Sequence, residues 1–84
     1  MLKDQSVAEK DLATLAKRYR KQTGATRAQA ARDMDVSQTS IFQAEEKPEQ
    51  ALVKLRMRMI EAYSPFNIEG PVFLLSLKEA KPGK

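Results

Sequence analysis

Eighty-four residues, 42% of them apolar, make one small domain whose core is near the minimum that folds alone. Cysteine and histidine are both absent, which removes disulfides, thiolate metal sites and the commonest general base. No carboxylate pair sits in an apolar setting that would shift a pKa, so the composition argues against an enzyme and implies no cofactor or metal. The net charge of +4 suits a polyanionic partner, and equally an ordinary basic surface. No apolar run approaches the roughly eighteen residues of a membrane span, so no membrane partner is expected. Met1-Leu2-Lys3-Asp4 lacks the apolar region of a signal peptide, and the expected location is cytoplasmic.

The first predicted helix runs from Val7 to Gln22. Ser6 and Glu9 have capping-box spacing, Leu12, Leu15, Ala16 and Tyr19 recur at helical intervals, and Gly24 can end the helix in the left-handed conformation. Lys17, Arg18 and Lys21 in its last turns read first as a solvated helix end. Thr26 and Gln29 repeat the capping spacing, which predicts a short alanine-rich helix from Arg27 to Met34. Asp35-Val36-Ser37 interrupts it. Ser37 then has the character of an N-cap for a third helix, Gln38 to Glu45, with Ile41 and Ala44 inward. After Lys47-Pro48 a fourth helix is predicted over Glu49 to Tyr63. Its apolar stripe is Leu52, Leu55, Met59 and Tyr63, with Lys54, Arg56 and Arg58 largely off it. Beyond Ser64-Pro65 the pattern changes. Gly70-Pro71 argues against helix, and the apolar run from Val72 to Leu77 reads as a strand, with a frayed tail over 79–84. No internal repeat appears.

Two short helices joined by a three-residue turn form a helix-turn-helix pattern, in which small Ala31 allows the helices to cross and Met34 and Ile41 plug the core beneath. Asp35 occupies the turn position where a left-handed backbone is expected. The stretch from Thr26 to Glu45 resembles the phage repressor and Cro-like (XRE-type) family of DNA-binding domains, and the resemblance extends over roughly Leu12 to Tyr63. Two departures stand out, since Arg27 replaces the family's usual Gln and Asp35 its usual Gly. A further one is Ala30, where a larger core residue is usual.

The resemblance implies a mainly α fold: a four- to five-helix repressor-like bundle with a short C-terminal β-strand. Residues 1–65 would form the DNA-binding domain, and 66–84 a strand and tail with a possible role in dimerisation. Along the third helix, Gln38, Thr39, Phe42 and Gln43 would contact bases of double-stranded DNA. Phe42 could pack on a thymine methyl, or turn inward to a core patch or a partner chain. Arg20 and Glu45 match a family pair that ties the first helix to the third, with Arg20 also able to meet a phosphate. Arg27 and Lys47 are the other phosphate candidates, and Ala31, Ile41 and Glu45 supply support.

A lone apolar strand must find a neighbour for its backbone groups. Phe66-Asn67-Ile68 offers one, packing over the fourth helix is another outcome, and antiparallel pairing with a second copy is favoured because Gly70-Pro71 leaves little length for a hairpin. Such a homodimer would suit a palindromic operator. The function expected is that of a sequence-specific transcriptional regulator, a repressor acting by occupancy. The competing expectation is a protein-interaction module or antitoxin-like protein that grips a protein partner through the C-terminal strand.

Overall fold

A computed structural model describes residues 5–69 and 73–78. Its elements, in chain order, are β1 (Gln5–Val7), a 3-10 turn (Glu9–Asp11), α1 (Leu12–Thr23), α2 (Arg27–Met34), α3 (Gln38–Glu46), α4 (Val53–Tyr63), β2 (Phe66–Glu69) and β3 (Phe73–Leu77). The fold is mainly helical with a small antiparallel sheet. Met1–Asp4, Gly70–Val72 and the tail expected over 79–84 lie outside the described residues.

Local signals in the middle of the chain act as their chemistry requires. Gly24 closes α1 at φ 84°, a conformation that suits glycine because it carries no Cβ. Thr26 caps α2 by accepting from the Gln29 N–H at 3.0 Å, although the Gln29 side chain turns away to Asp33 instead of completing a capping box. Asp35 sits at φ 60°, ψ 49°. Its N–H donates to the Arg32 carbonyl and that of Val36 to the Ala31 carbonyl, the paired bonds of a Schellman ending. Ser37 then caps α3, its hydroxyl accepting from the Ser40 N–H at 3.0 Å.

The start of the chain differs from expectation. Ser6 lies in β1, opposite Leu74, and regular α-helix begins only at Leu12. An N-cap residue and a strand residue share the extended backbone region, so the serine alone does not separate the two. The fourth helix starts at Val53, after Glu49, because 48–52 is a turn held by the Gln50 N–H to the Lys47 carbonyl and the Leu52 N–H to the Gln50 carbonyl.

The larger correction concerns the C-terminal strand. β3 is the central strand, in the order β1-β3-β2, antiparallel on both sides. Gln5 faces Leu75 on one flank and Phe66 faces Leu77 on the other. Both edges of β3 are therefore paired within the chain, which leaves this strand no open edge for a second copy. Glu69 stands opposite Leu74, a separation within the range of ordinary hairpin loops of about two to five residues. The sheet also shares the helical core: Ile68 and Leu75 are buried in one cluster with Leu12, Ala16, Ile41, Met59 and Ile60. The Tyr19 and Phe66 rings lie 6.1 Å apart, joining α1 to β2. Among the described residues, no helix is long and apolar enough to cross a membrane.

Candidate functional site

The α2–turn–α3 unit is seated by small and plugging residues. Ala30, Ala31 and Ala44 are buried, which lets the helices approach closely, and Met34 and Ile41 fill the space below. Ala31 and Ile41, expected as supporting residues, are both buried in this core. Two arginines of α4 hold the unit from behind. Arg56, only 1% exposed, donates from Nε to the Ala44 carbonyl (2.8 Å), from Nη2 to that of Lys47 (2.7 Å) and from Nη1 to that of Gln50 (2.9 Å). Arg58 donates to the Met34 carbonyl at 2.8 Å. The carbonyl ends of α3 and α2, which lack partners within their own helices, are each met by a cation that also complements the helix dipole. Arg56 therefore lies on the inner face of α4, contrary to the outward placement its charge suggested. Burial pulls its pKa below the ordinary guanidinium value.

On the open side of α3, Gln38 and Thr39 are exposed, Phe42 is 42% exposed, and Gln43 is half-buried. Of the two placements open to Phe42, the outward one is found. The ring is covered by Arg27, whose Cζ lies 5.1 Å from the ring centroid, a cation–π contact worth about 0.5–1 kcal/mol at such a surface. Gln38, Phe42 and Glu46 follow one another at four-residue intervals and form a single row along the helix.

A charge network borders this face. Glu45, its side chain inaccessible, accepts from Arg20 Nε, from Arg20 Nη2 at 2.9 Å and from Arg27 Nε at 3.0 Å. The remaining Arg20 nitrogen, Nη1, donates to the Ala25 carbonyl at 2.8 Å. Arg20 is 7% exposed, and its hydrogen bond to Glu45 is the main reason its pKa rises above the ordinary value. The tie between α1 and α3 is thus present, and these bonds engage three of the five guanidinium N–H groups of Arg20. Glu46 continues the network by accepting from Lys17 Nζ and, at 2.8 Å, from Arg27 Nη2. The hydrogen bond from Lys17 is the first reason the Glu46 carboxyl lies below the usual carboxylate range. Lys47, beyond the end of α3, is exposed.

Several of these residues are silent in the sequence. Glu46 follows Glu45 directly, and only its four-residue spacing from Phe42 marks it. Arg56 does carry a spacing signal, four residues after Leu52 and three before Met59. Asp33 and Tyr63 join the far side of α2 to the end of α4 through a 2.7 Å hydrogen bond between residues thirty apart, which no local pattern announces. No protein-family model matches the chain, and no curated protein or solved structure matches it significantly.

Proposed function

We propose that this chain is a sequence-specific DNA-binding regulator of the repressor and Cro-like (XRE-type) helix-turn-helix kind, acting as a repressor by occupying its operator through α3. The observation that carries the proposal is the unit from Thr26 to Glu46: two capped helices, crossing over alanines, with a left-handed residue between them and Gln38, Thr39 and Phe42 exposed on the second. A short helix with its N-terminal half free and its C-terminal end locked down suits insertion into a major groove. Gln38 and Gln43 would offer bidentate hydrogen bonds to adenine, Thr39 a hydroxyl or methyl, and Phe42 an apolar face for a thymine methyl. Arg27, Lys47 and the free N–H groups opening α2 and α3 would meet phosphates. Arg20 would support the site by positioning α3, with its two remaining N–H groups open to a phosphate.

A palindromic operator requires two copies. With both edges of β3 occupied, a second copy would dock elsewhere, and sedimentation of the intact chain reads that state. Selection of bound sequences from random duplexes tests the central proposal. The expected result is an enriched sequence whose affinity falls steeply with salt. Arg27→Ala should weaken binding to every duplex, while Gln38→Ala should relax the preference at particular positions. Failure to bind any duplex at low salt removes the proposal.

One observation favours a second reading. From Thr26 to Lys47 there are three cations, Arg27, Arg32 and Lys47, against four carboxylates, Asp33, Asp35, Glu45 and Glu46. A helix pair so nearly balanced in charge, with an exposed phenylalanine on its second helix, suits a protein partner. In that reading no duplex binds and Phe42→Ala abolishes capture of the partner.

A further inference from the structure

We propose that Glu46 restrains Lys17 and Arg27, limiting attraction to phosphates of any sequence and leaving discrimination to the open face of α3. The inference rests on the DNA-binding reading and adds a control to that same site. Three elements meet here: Lys17 comes from α1, Arg27 from α2 and Glu46 from the last turn of α3. The carboxylate takes Lys17 Nζ and Arg27 Nη2 on the same oxygen, Oε2. The side chains of Lys17 and Glu46 remain 37% and 32% accessible, so both stand at the surface a phosphate would approach.

The fold does not depend on this pairing. Glu45 already satisfies Arg20 and takes Arg27 Nε, and half-exposed ion pairs contribute little to stability. Glu46 lies on the row of Gln38 and Phe42, beside the open face and away from the core. A phosphate drawn toward Lys17 or Arg27 must displace this carboxylate or share the cations with it. A duplex docked in register through Gln38, Thr39 and Phe42 holds its backbone against these residues long enough to compete. A duplex held only by diffuse charge does not. The carboxyl stays ionised at neutral pH because Lys17 and Arg27 face it, with no other titratable group hydrogen-bonded to it among the described residues.

Glu46→Gln in the intact chain tests the inference by fluorescence anisotropy, using a random-sequence duplex and the duplex enriched by selection, each over a series of salt concentrations. Glutamine keeps an acceptor for Lys17 and Arg27 but not the charge. The variant should bind the random duplex about tenfold tighter near 0.1 M salt, with a slope of log affinity against log salt steeper by about 1–2, as one or two additional phosphate contacts require. The selected duplex should gain less, so the ratio between the two falls. Adding Lys17→Gln to Glu46→Gln should remove part of the gain. If the wild-type chain binds its selected duplex and Glu46→Gln leaves affinity and slope on the random duplex unchanged, the restraint does not exist, while the DNA-binding reading stands. If neither protein binds any duplex, both are overturned.

Discussion

Replacing Arg56 with methionine removes three hydrogen bonds at the end of α3 while keeping most of the aliphatic stem. The carbonyls do not suffer equally. Lys47 and Gln50 are exposed residues whose carbonyls can recover water, whereas the bond to Ala44 is buried. Leaving that one acceptor dry costs about 1–3 kcal/mol. Losing a cation at the α3 C-terminus adds about 0.3–1 kcal/mol. Against these stands a gain, because methionine brings no charge into a site whose burial already lowers the Arg56 pKa. The balance is a loss of about 2–3 kcal/mol. A chain of this length has a total stability of about 4–13 kcal/mol, so the melting temperature should drop by about 10–20 °C. Urea denaturation followed by circular dichroism should show a lower midpoint at an unchanged slope. Arg56→Lys, whose ammonium cannot span all three carbonyls, should fall between. A melting temperature within about 3 °C of wild type would refute the reasoning, since the carbonyls would then be satisfied without the arginine.

Glu45→Gln removes the charge that faces the buried Arg20 guanidinium but leaves one carbonyl acceptor; stripping one partner from a buried pair costs about 3–5 kcal/mol, and the lower end is expected in chemical denaturation, with Glu45→Ala worse. Tyr63 has its pKa raised, first by burial and then by its hydrogen bond to Asp33. An unfolded tyrosine ionises near about pH 10 and the folded one above that, so its contribution to stability is present below that pH and is lost as pH rises beyond it. Melting curves of the wild-type chain between pH 8 and 11.5 should turn downward near the upper end of the range, and Tyr63→Phe should flatten that fall; parallel curves would contradict the assignment.

What could be read in advance divides according to how far apart the interacting residues lie in the chain. Gly24, Thr26, Asp35 and Ser37 act on neighbours within a turn, and each behaves as its side chain and backbone preferences require. Alanine and plug positions were also legible, because helical period places Ala31 and Met34 on one side of α2, and Ile41 and Ala44 on one side of α3. Reading failed where a distant residue decides. Ser6 carries the same local signal whether it caps a helix or enters a strand, and the partner that settles it is Leu74. Arg56 has core spacing and surface chemistry. Spacing wins only because the carbonyl end of α3 is there to receive it. At the candidate site, Gln38, Thr39 and Phe42 were legible as an exposed face, but the enclosure of Arg20 was not. Three carbonyl or carboxylate acceptors converge on that guanidinium, two of them from α3.

The same convergence changes what the net charge of +4 means. Arg20 and Arg56 are enclosed, Arg58 serves the end of α2, and Lys17 and Arg27 are paired to carboxylates. Most cations near α3 therefore already face a carboxylate or a carbonyl, and the helix itself contributes two carboxylates and no base. Cations that already face acceptors are a weaker diffuse lure for a polyanion than free ones. In the proposed DNA-binding reading, discrimination would then rest on shape and directional contacts at Gln38, Thr39 and Phe42. In that reading such a surface would trade general attraction for selectivity, because a wrong partner would find neither the fit nor much free positive charge to compensate for its absence.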